Sequence, residues 1–506
     1  MQSGVQPYAP DFVYGAARPV GAGEPAERGM SETASRKFRR GLLLQVFLCA
    51  VPVSLLLALG RAGLAGRALW VIFALLALRL VFMGKAAELL CLLVALAPLL
   101  NLLRDFAVTY QIISVLSFLA LIFYAGRARN DLWNVLRQTP LAVTLLVFVV
   151  LYYTASFIIT GRYEINLRLF DLALMVIVVL VIGRSREMFG ATLLGLVISG
   201  WAVGTAMLQH LDADSGSRLG SMMVEGHMLG NPVSLGTPLA LCFLGLMLDR
   251  GRWFNLQDRP LFRILLAVPT FALLALTTSR AAWLVTAGGL LVALLFDSRA
   301  RGRILLLIGL GVLILQVVLF TPYGEGLREG LDRTFSGEKS ATSRTSGRSD
   351  QWVVSYYALT NSASSLLSGY GPGLGPRVYA KYSREARGIT YAVGGEAQLH
   401  ALYMQVAVET GLIGFVPFVV WLGVGLFKNY RWMLKHRSIF PFVCFLGYMI
   451  IIATVSGNDS VSGTFLGIGF LATMHARIPK AILRRRAAAR RRQGMITQQT
   501  GKTDEV

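Results

Sequence analysis

Apolar residues run almost without interruption along most of this chain, and polar residues gather into short, separate islands. Apolar runs of about 18 to 20 residues, enough for a helix to cross roughly 30 Å of hydrocarbon, recur throughout. They begin near residues 41, 68, 86, 107, 140, 168, 188, 231, 260, 281, 303, 402, 438 and 459. Such runs predict helices, because within hydrocarbon a segment must satisfy its own backbone donors and acceptors. The expected fold class is therefore an all-α polytopic membrane protein of about 14 transmembrane helices, with an extracytoplasmic helical cap between two late spans.

The islands divide by charge. "SRKFRR", "AGRARNDLWNVLRQ", "GRSRE", "DRGRWFNLQDRP", "DSRARGR", "KNYRWMLKHR" and "RIPKAILRRRAAARRRQG" are basic. Placing the N-terminus in the cytoplasm puts all of them, and both termini, on that side, as the positive-inside bias requires. Arg104, Arg61 and Arg67 do not fit this orientation. The opposite face collects "GRYEINLR", "HLDADSGSRLGSMMVEGHMLG", "TTSRAAW", the stretch from Thr321 to His400, and "SGNDSVSG". That stretch is too long for a plain connection and contains a helix-like segment, "SDQWVVSYYALTNSASSLL".

The expected organisation is a flexible cytoplasmic tail (1–40), a bundle of about 11 spans (41–320), a periplasmic cap (321–400), a bundle of about 3 spans (401–476) and a basic cytoplasmic tail (477–506). The first apolar run starts too far from residue 1 for a cleavable signal peptide.

Composition supports this picture. The 506 residues are 55% hydrophobic and 15% charged, and the mean hydropathy is +0.59. A net charge of +22 would suggest nucleic acid for a soluble chain, but here it follows topology, with attraction to anionic lipid, so no nucleic-acid partner is expected. Cys49, Cys91, Cys242 and Cys444 all fall inside apolar runs without metal-ligand spacing.

Candidate chemistry lies on the presumed outer face. Arg280 sits in "LLALTTSRAAWLV", between two apolar runs with almost no loop; a charge so placed faces a cavity or a partner. Asn231-Pro232 reads as an N-cap and first-turn proline, aiming free N–H groups at that face, a setting that favours phosphate. Arg218, just upstream, would add a fork of donors suited to phosphate oxygens, or be merely solvated. Arg348 opens a helix, where it binds substrate or caps.

His400 stands at the mouth of an apolar helix starting near residue 399. Tyr403, Met404 and Ala407 share its face there, while Gln405 and Glu409 point nearly opposite. It is either a satisfied structural residue or a base suited to neutral pH. "DAD" (Asp212 to Asp214) is a weak metal signal, so no metal and no cofactor is expected. "SGYGPGLGP" (Ser368 to Pro376) reads as a tight turn closing the cap rather than a phosphate loop.

In order along the chain, "RLGSMMVEGHMLGNPVSLG", "TTSRAAWLV", "SGRSDQWVVSYYAL" with "GYGPGLG", and "LHALYMQVAVETGLIG" resemble the O-antigen ligase and polymerase family of bacterial membrane glycosyltransferases. The resemblance spans roughly Arg218 to Gly414. It implies a GT-C-like helical fold and transfer of glycans from undecaprenyl pyrophosphate to an acceptor sugar at the periplasmic face of the inner membrane. It matches Arg218 and Arg280 to the family's pyrophosphate-binding arginines and His400 to the histidine of its "HN…L…E.G..G" segment, in which Glu409 also falls and is expected to contact substrate. Ala401 here replaces the asparagine, so His400 lacks that neighbour.

Three functions follow. The first is a polymerase of lipid-linked repeat units, making O antigen or exopolysaccharide. The second is a ligase moving a finished glycan to lipid A core. The third is a non-enzymatic transporter of the same lipid, for which the expected internal repeats are missing from the sequence. The resemblance implies a lipid-linked donor, an acceptor glycan and the bilayer as partners, with a chain-length regulator and a flippase alongside.

Overall fold

The computed structural model describes residues 32–103, 110–160, 168–210, 219, 222–224, 227–229, 232–249, 260–321, 328, 348–383, 385, 401–436, 438–455 and 460–475. Helices occupy every predicted apolar run. In chain order they are α1 (Glu32–Ala58), α2 (Ala62–Phe82), α3 (Ala86–Ala95), α4 (Ala97–Leu103), α5 (Tyr110–Gln138), α6 (Pro140–Thr160), α7 (Arg168–Ile182) and α8 (Arg186–Leu208). Then come α9 (Pro232–Leu248), α10 (Pro260–Leu276), α11 (Arg280–Phe296), α12 (Ser298–Leu319), α13 (Arg348–Thr360), α14 (Ala363–Ser368), α15 (Gly375–Tyr382), α16 (Leu402–His436), α17 (Phe440–Thr454) and α18 (Ser460–His475).

One exception to the all-helical expectation is an antiparallel ribbon, β1 (Met222–Val224) with β2 (His227–Leu229), in which Met222 faces Leu229 and Val224 faces His227. Only two residues join the strands, a spacing that closes a hairpin before a helix can nucleate.

Five helices (α1, α2, α6, α8 and α16) are long and apolar enough to cross a membrane by length and composition. This is a multi-pass membrane protein. Others are shorter: α7 and α17 have 15 residues and α9, α10 and α11 have 17. At 1.5 Å per residue these reach only about 22–26 Å, less than the hydrocarbon thickness. Short helices survive at that depth where protein surrounds their ends, and α9 and α18 are buried along nearly their whole length.

A single apolar core joins helices from both sides of residues 321–400: α1 packs along α8, α7 along α18, and α17 against both α11 and α18. Gly463 and Gly467, one helical turn apart on α18, let it approach α7 closely. A methyl at Gly467 would meet Val179 at 2.7 Å, and one at Gly463 would meet the Leu172 carbonyl at 2.8 Å.

Three basic segments expected as loops, and one expected in the N-terminal tail, are helix instead. "AGRARNDLWNVLRQ" completes α5 beyond a kink at Ala128 (φ −136°, ψ 44°). "DSRARGR" opens α12, "SRKFRR" lies in α1, and "KNYRWMLKHR" finishes α16 as far as His436. Arginine and lysine are good helix formers, and each segment keeps an apolar stripe: Leu132, Val135 and Leu136 in α5, Trp432 and Met433 in α16. Charge in these segments does not end the helix.

Arg263 on α10 shows how a helix end is closed inside the protein. Its guanidinium donates to the Leu246 carbonyl (Nε at 3.0 Å) and to that of Asp249, capping the C-terminus of α9 with a cation. Arg263→Met removes these donors while keeping the apolar stem. It is expected to cost about 2 kcal/mol, the penalty for buried carbonyls left unpaired. The readout is the thermal unfolding midpoint in detergent; an unchanged midpoint means the carbonyls find other donors.

Candidate functional site

The α10–α11 junction is as tight as the sequence suggested. Thr277 and Thr278 form the whole turn, and Ser279 caps α11, its Oγ accepting from the Ala282 N–H at 3.5 Å. The Trp283 indole reaches back to the Leu274 carbonyl (3.3 Å), closing the end of α10. Thr278 has φ +46°, which a β-branched residue adopts only under strain of about 1–3 kcal/mol. Thr277, Thr278 and Ser279 are all buried.

The start of α9 lies directly against this turn. A methyl built on Gly236 would fall 2.9 Å from both Thr277 Oγ1 and Ser279 Cβ, so only glycine permits the approach. The second turn of α9 thus lies beside the first turn of α11, both helices having 17 residues. Leu219 joins them: it is fully buried and its N–H donates to the Leu276 carbonyl at 3.2 Å.

Arg280 is the first residue of α11 and is half-buried. A cation there opposes the positive end of the helix dipole, an unfavourable placement that a bound anion reverses. The hydroxyls of Thr278 and, on α9, of Thr237 are buried without a hydrogen-bond partner. Sequence reading missed both threonines. The signal for Thr278 was its position beside the α11 cap, Ser279, and for Thr237 its place next to Gly236.

A second arrangement centres on Glu409 of α16. Its carboxylate has no exposed surface. The Tyr152 hydroxyl on α6 donates to Oε2, while Gln405 Nε2 (3.2 Å) and the Gly375 N–H (3.1 Å) donate to Oε1. An expectation that Glu409 touches substrate therefore meets a carboxylate whose two oxygens already hold α6 and the glycine turn.

The turn itself follows from a break in α16. Gly411 (φ 58°, ψ −162°) interrupts the helix and frees upstream carbonyls, which accept from Tyr370 N–H (to Val408, 3.0 Å) and Gly371 N–H (to Glu409, 2.9 Å). Gly369, Gly371 and Gly373 all have positive φ, so "SGYGPGLGP" is a backbone turn, as expected. Around it Val354, Ala358, Val378, Tyr379, Tyr382 and Val408 form a small separate core. Tyr370 Oη donates to the Ala358 carbonyl and lies 3.1 Å from Tyr382 Oη; burial first, then that neighbour, push its phenol up to about 12, so it stays a donor at neutral pH.

Arg218, Asn231, His400 and Asp212 to Asp214 lie outside the described residues. Arg348 begins α13, as expected, but its side chain also lies outside them. The helix expected from residue 399 starts at Leu402, with the Ala401 carbonyl accepting its first bond. His210 has its Nε2 at 2.6 Å from the Leu57 carbonyl and closes the end of α1. His227 lies in β2. The helix-like segment 349–367 divides into α13 and α14 where Ser362 and Ser365 form a reciprocal capping box.

The chain matches the family model described as O-antigen ligase over residues 265–419. The ligase-family segment therefore runs from α10 through α16 and takes in Arg280, Arg348, the glycine turn, the position of His400, and Glu409. The resemblance read from the sequence holds there; Arg218 and Asn231 precede the matched part. The match covers less than half of the 506 residues and marks a similarity to that family within this segment. No curated protein matches the chain.

Proposed function

We propose that the protein is an inner-membrane glycosyltransferase that polymerises undecaprenyl-pyrophosphate-linked repeat units of a surface polysaccharide at the periplasmic face. The observation that carries the reading is the packing of the second turn of α9 against the strained turn that leads into Arg280 at the start of α11. Two helix dipoles, a guanidinium and two buried unpartnered hydroxyls make a setting for a pyrophosphate.

The reaction needs no more than these groups. The acceptor hydroxyl oxygen attacks the anomeric carbon as the bond to the pyrophosphate oxygen breaks, with inversion. Charge builds on the leaving undecaprenyl pyrophosphate, where Arg280 and Arg218 stabilise it without a metal. His400, at the entrance of α16, takes the hydroxyl proton. Glu409 acts at one remove, fixing α16 and the glycine turn, while Arg348 and Asn231 contact substrate. The roughly fourteen spans, both termini cytoplasmic, and a periplasmic cap over residues 321–400 belong to this reading.

His400→Ala is expected to lower transfer by at least about 100-fold while the protein inserts normally. The test is a deletion strain carrying wild type or variant, with carrier-linked units, carrier-linked polymer and lipid A core separated by gel. Single carrier-linked units accumulating in the variant support the polymerase. Finished polymer on the carrier with unmodified core favours the ligase, the alternative named by the family match. Unchanged glycan removes His400 from the mechanism.

A further inference from the structure

We infer that α13 and α14 lie in the membrane interface, with the aromatic face of α13 set against lipid. α13 is inside out for a helix in water. Asp350, Gln351 and Ser355 are buried together with Val354 and Ala358, while Trp352, Val353, Tyr356 and Tyr357 are exposed. On a 3.6-residue period these two sets occupy opposite sides. Tyr356, in the middle of the outward set, is 69% exposed. α14 continues the surface with Leu366 and Leu367. Aromatic rings with one polar atom favour the headgroup level, where the ring is dehydrated and the polar tip stays wet. A helix with apolar groups on one side and polar groups on the other lies along that boundary.

The neighbours say what covers this face. The glycine turn that follows α14 rests on the last turn of α6: a methyl built on Gly371 would sit 3.2 Å from Ile159 Cδ1. Ile159 shares that turn with exposed Phe157 and Ile158, on a helix long enough to span and mostly turned outward. On the other side, Gly411 packs against the Leu367 backbone, and the exposed Leu412 and Ile413 follow it on the spanning helix α16. The apolar surface of α13 and α14 thus continues the lipid-facing surfaces of two spans at their ends. Its occupant is the bilayer. The inference rests on the membrane fold and not on the transferase reading, so it survives or fails separately.

The test places single nitroxides at Tyr356→Cys and Leu367→Cys, with Ile158→Cys as the lipid-facing reference, in the full chain reconstituted in phosphatidylethanolamine and phosphatidylglycerol bilayers. The four native cysteines are buried, and unsubstituted protein measures their background labelling. Both labels are expected to collide several-fold more often with oxygen than with a water-soluble nickel chelate, as at position 158. Free access of the chelate at 356 and 367, with position 158 protected, overturns the inference. Chelate access that falls when soluble polysaccharide is added also overturns it, in favour of a sugar-stacking platform. Quenching of Trp352 by brominated lipid, read as the difference between wild type and Trp352→Phe, gives a second measure in a chain whose aromatic face is nearly intact; absence of that difference counts equally against the bilayer.

Discussion

Arg280→Ala lowers glycan transfer about a thousandfold, the loss expected when one preorganised donor to a developing anion is removed. The size follows from its surroundings. The turn of Thr277, Thr278 and Ser279 is buried, so little water is at hand to replace the missing charge. Arg280→Lys restores the charge without the planar fork and should recover part of the rate. The measurement is transfer of lipid-linked units by purified protein in bilayers, with unfolding temperature as the control. The variant should stay folded, because a cation at a helix N-terminus adds nothing to helix stability. Full transfer by folded Arg280→Ala would make this arginine structural and remove the main support for the pyrophosphate site.

The largest effect on stability is expected at Glu409. Glu409→Ala leaves the Tyr152 hydroxyl, the Gln405 amide and the Gly375 N–H facing an empty space. At about 1–3 kcal/mol for each buried donor left without an acceptor, and with partial rearrangement, the total is about 4 kcal/mol. Glu409→Gln keeps the volume and one acceptor but turns an amide NH2 toward other donors, so about half of that loss is expected. Thermal unfolding in detergent reads both. An alanine variant as stable as wild type would show that the network contributes nothing beyond geometry.

The apolar runs were legible because bilayer thickness imposes a length on the chain, and each run is helical. The turn at Thr277 and Thr278 was legible for a similar reason: two apolar runs with almost nothing between them leave no other solution. The ends of α5 and α16 were not, since arginine-rich stretches look the same as loops or as helical turns until Val135 or Trp432 finds its place in the core. Nor could a pattern local to the sequence reveal that Glu409 meets Tyr152, 257 positions away, or that Leu219 pairs with Leu276. Counting helical faces separated Glu409 from His400 but could not supply its actual partners. The strain at Thr278 was hidden too, because threonine gives no hint of a positive φ.

The break at Gly411 has a consequence for traffic into the site. The turn after α14 takes over carbonyls that an unbroken α16 would have bonded itself, so the two pieces are spliced through their main chains. A flap must leave its seat cheaply. Lifting this one would strip Val408 and Glu409 of their donors in apolar surroundings, at about 1–3 kcal/mol for each group exposed unpaired. The α14–α15 unit is therefore a fixed roof beam, not a door. A substrate tethered to a membrane lipid would come in sideways, through the wall between helices.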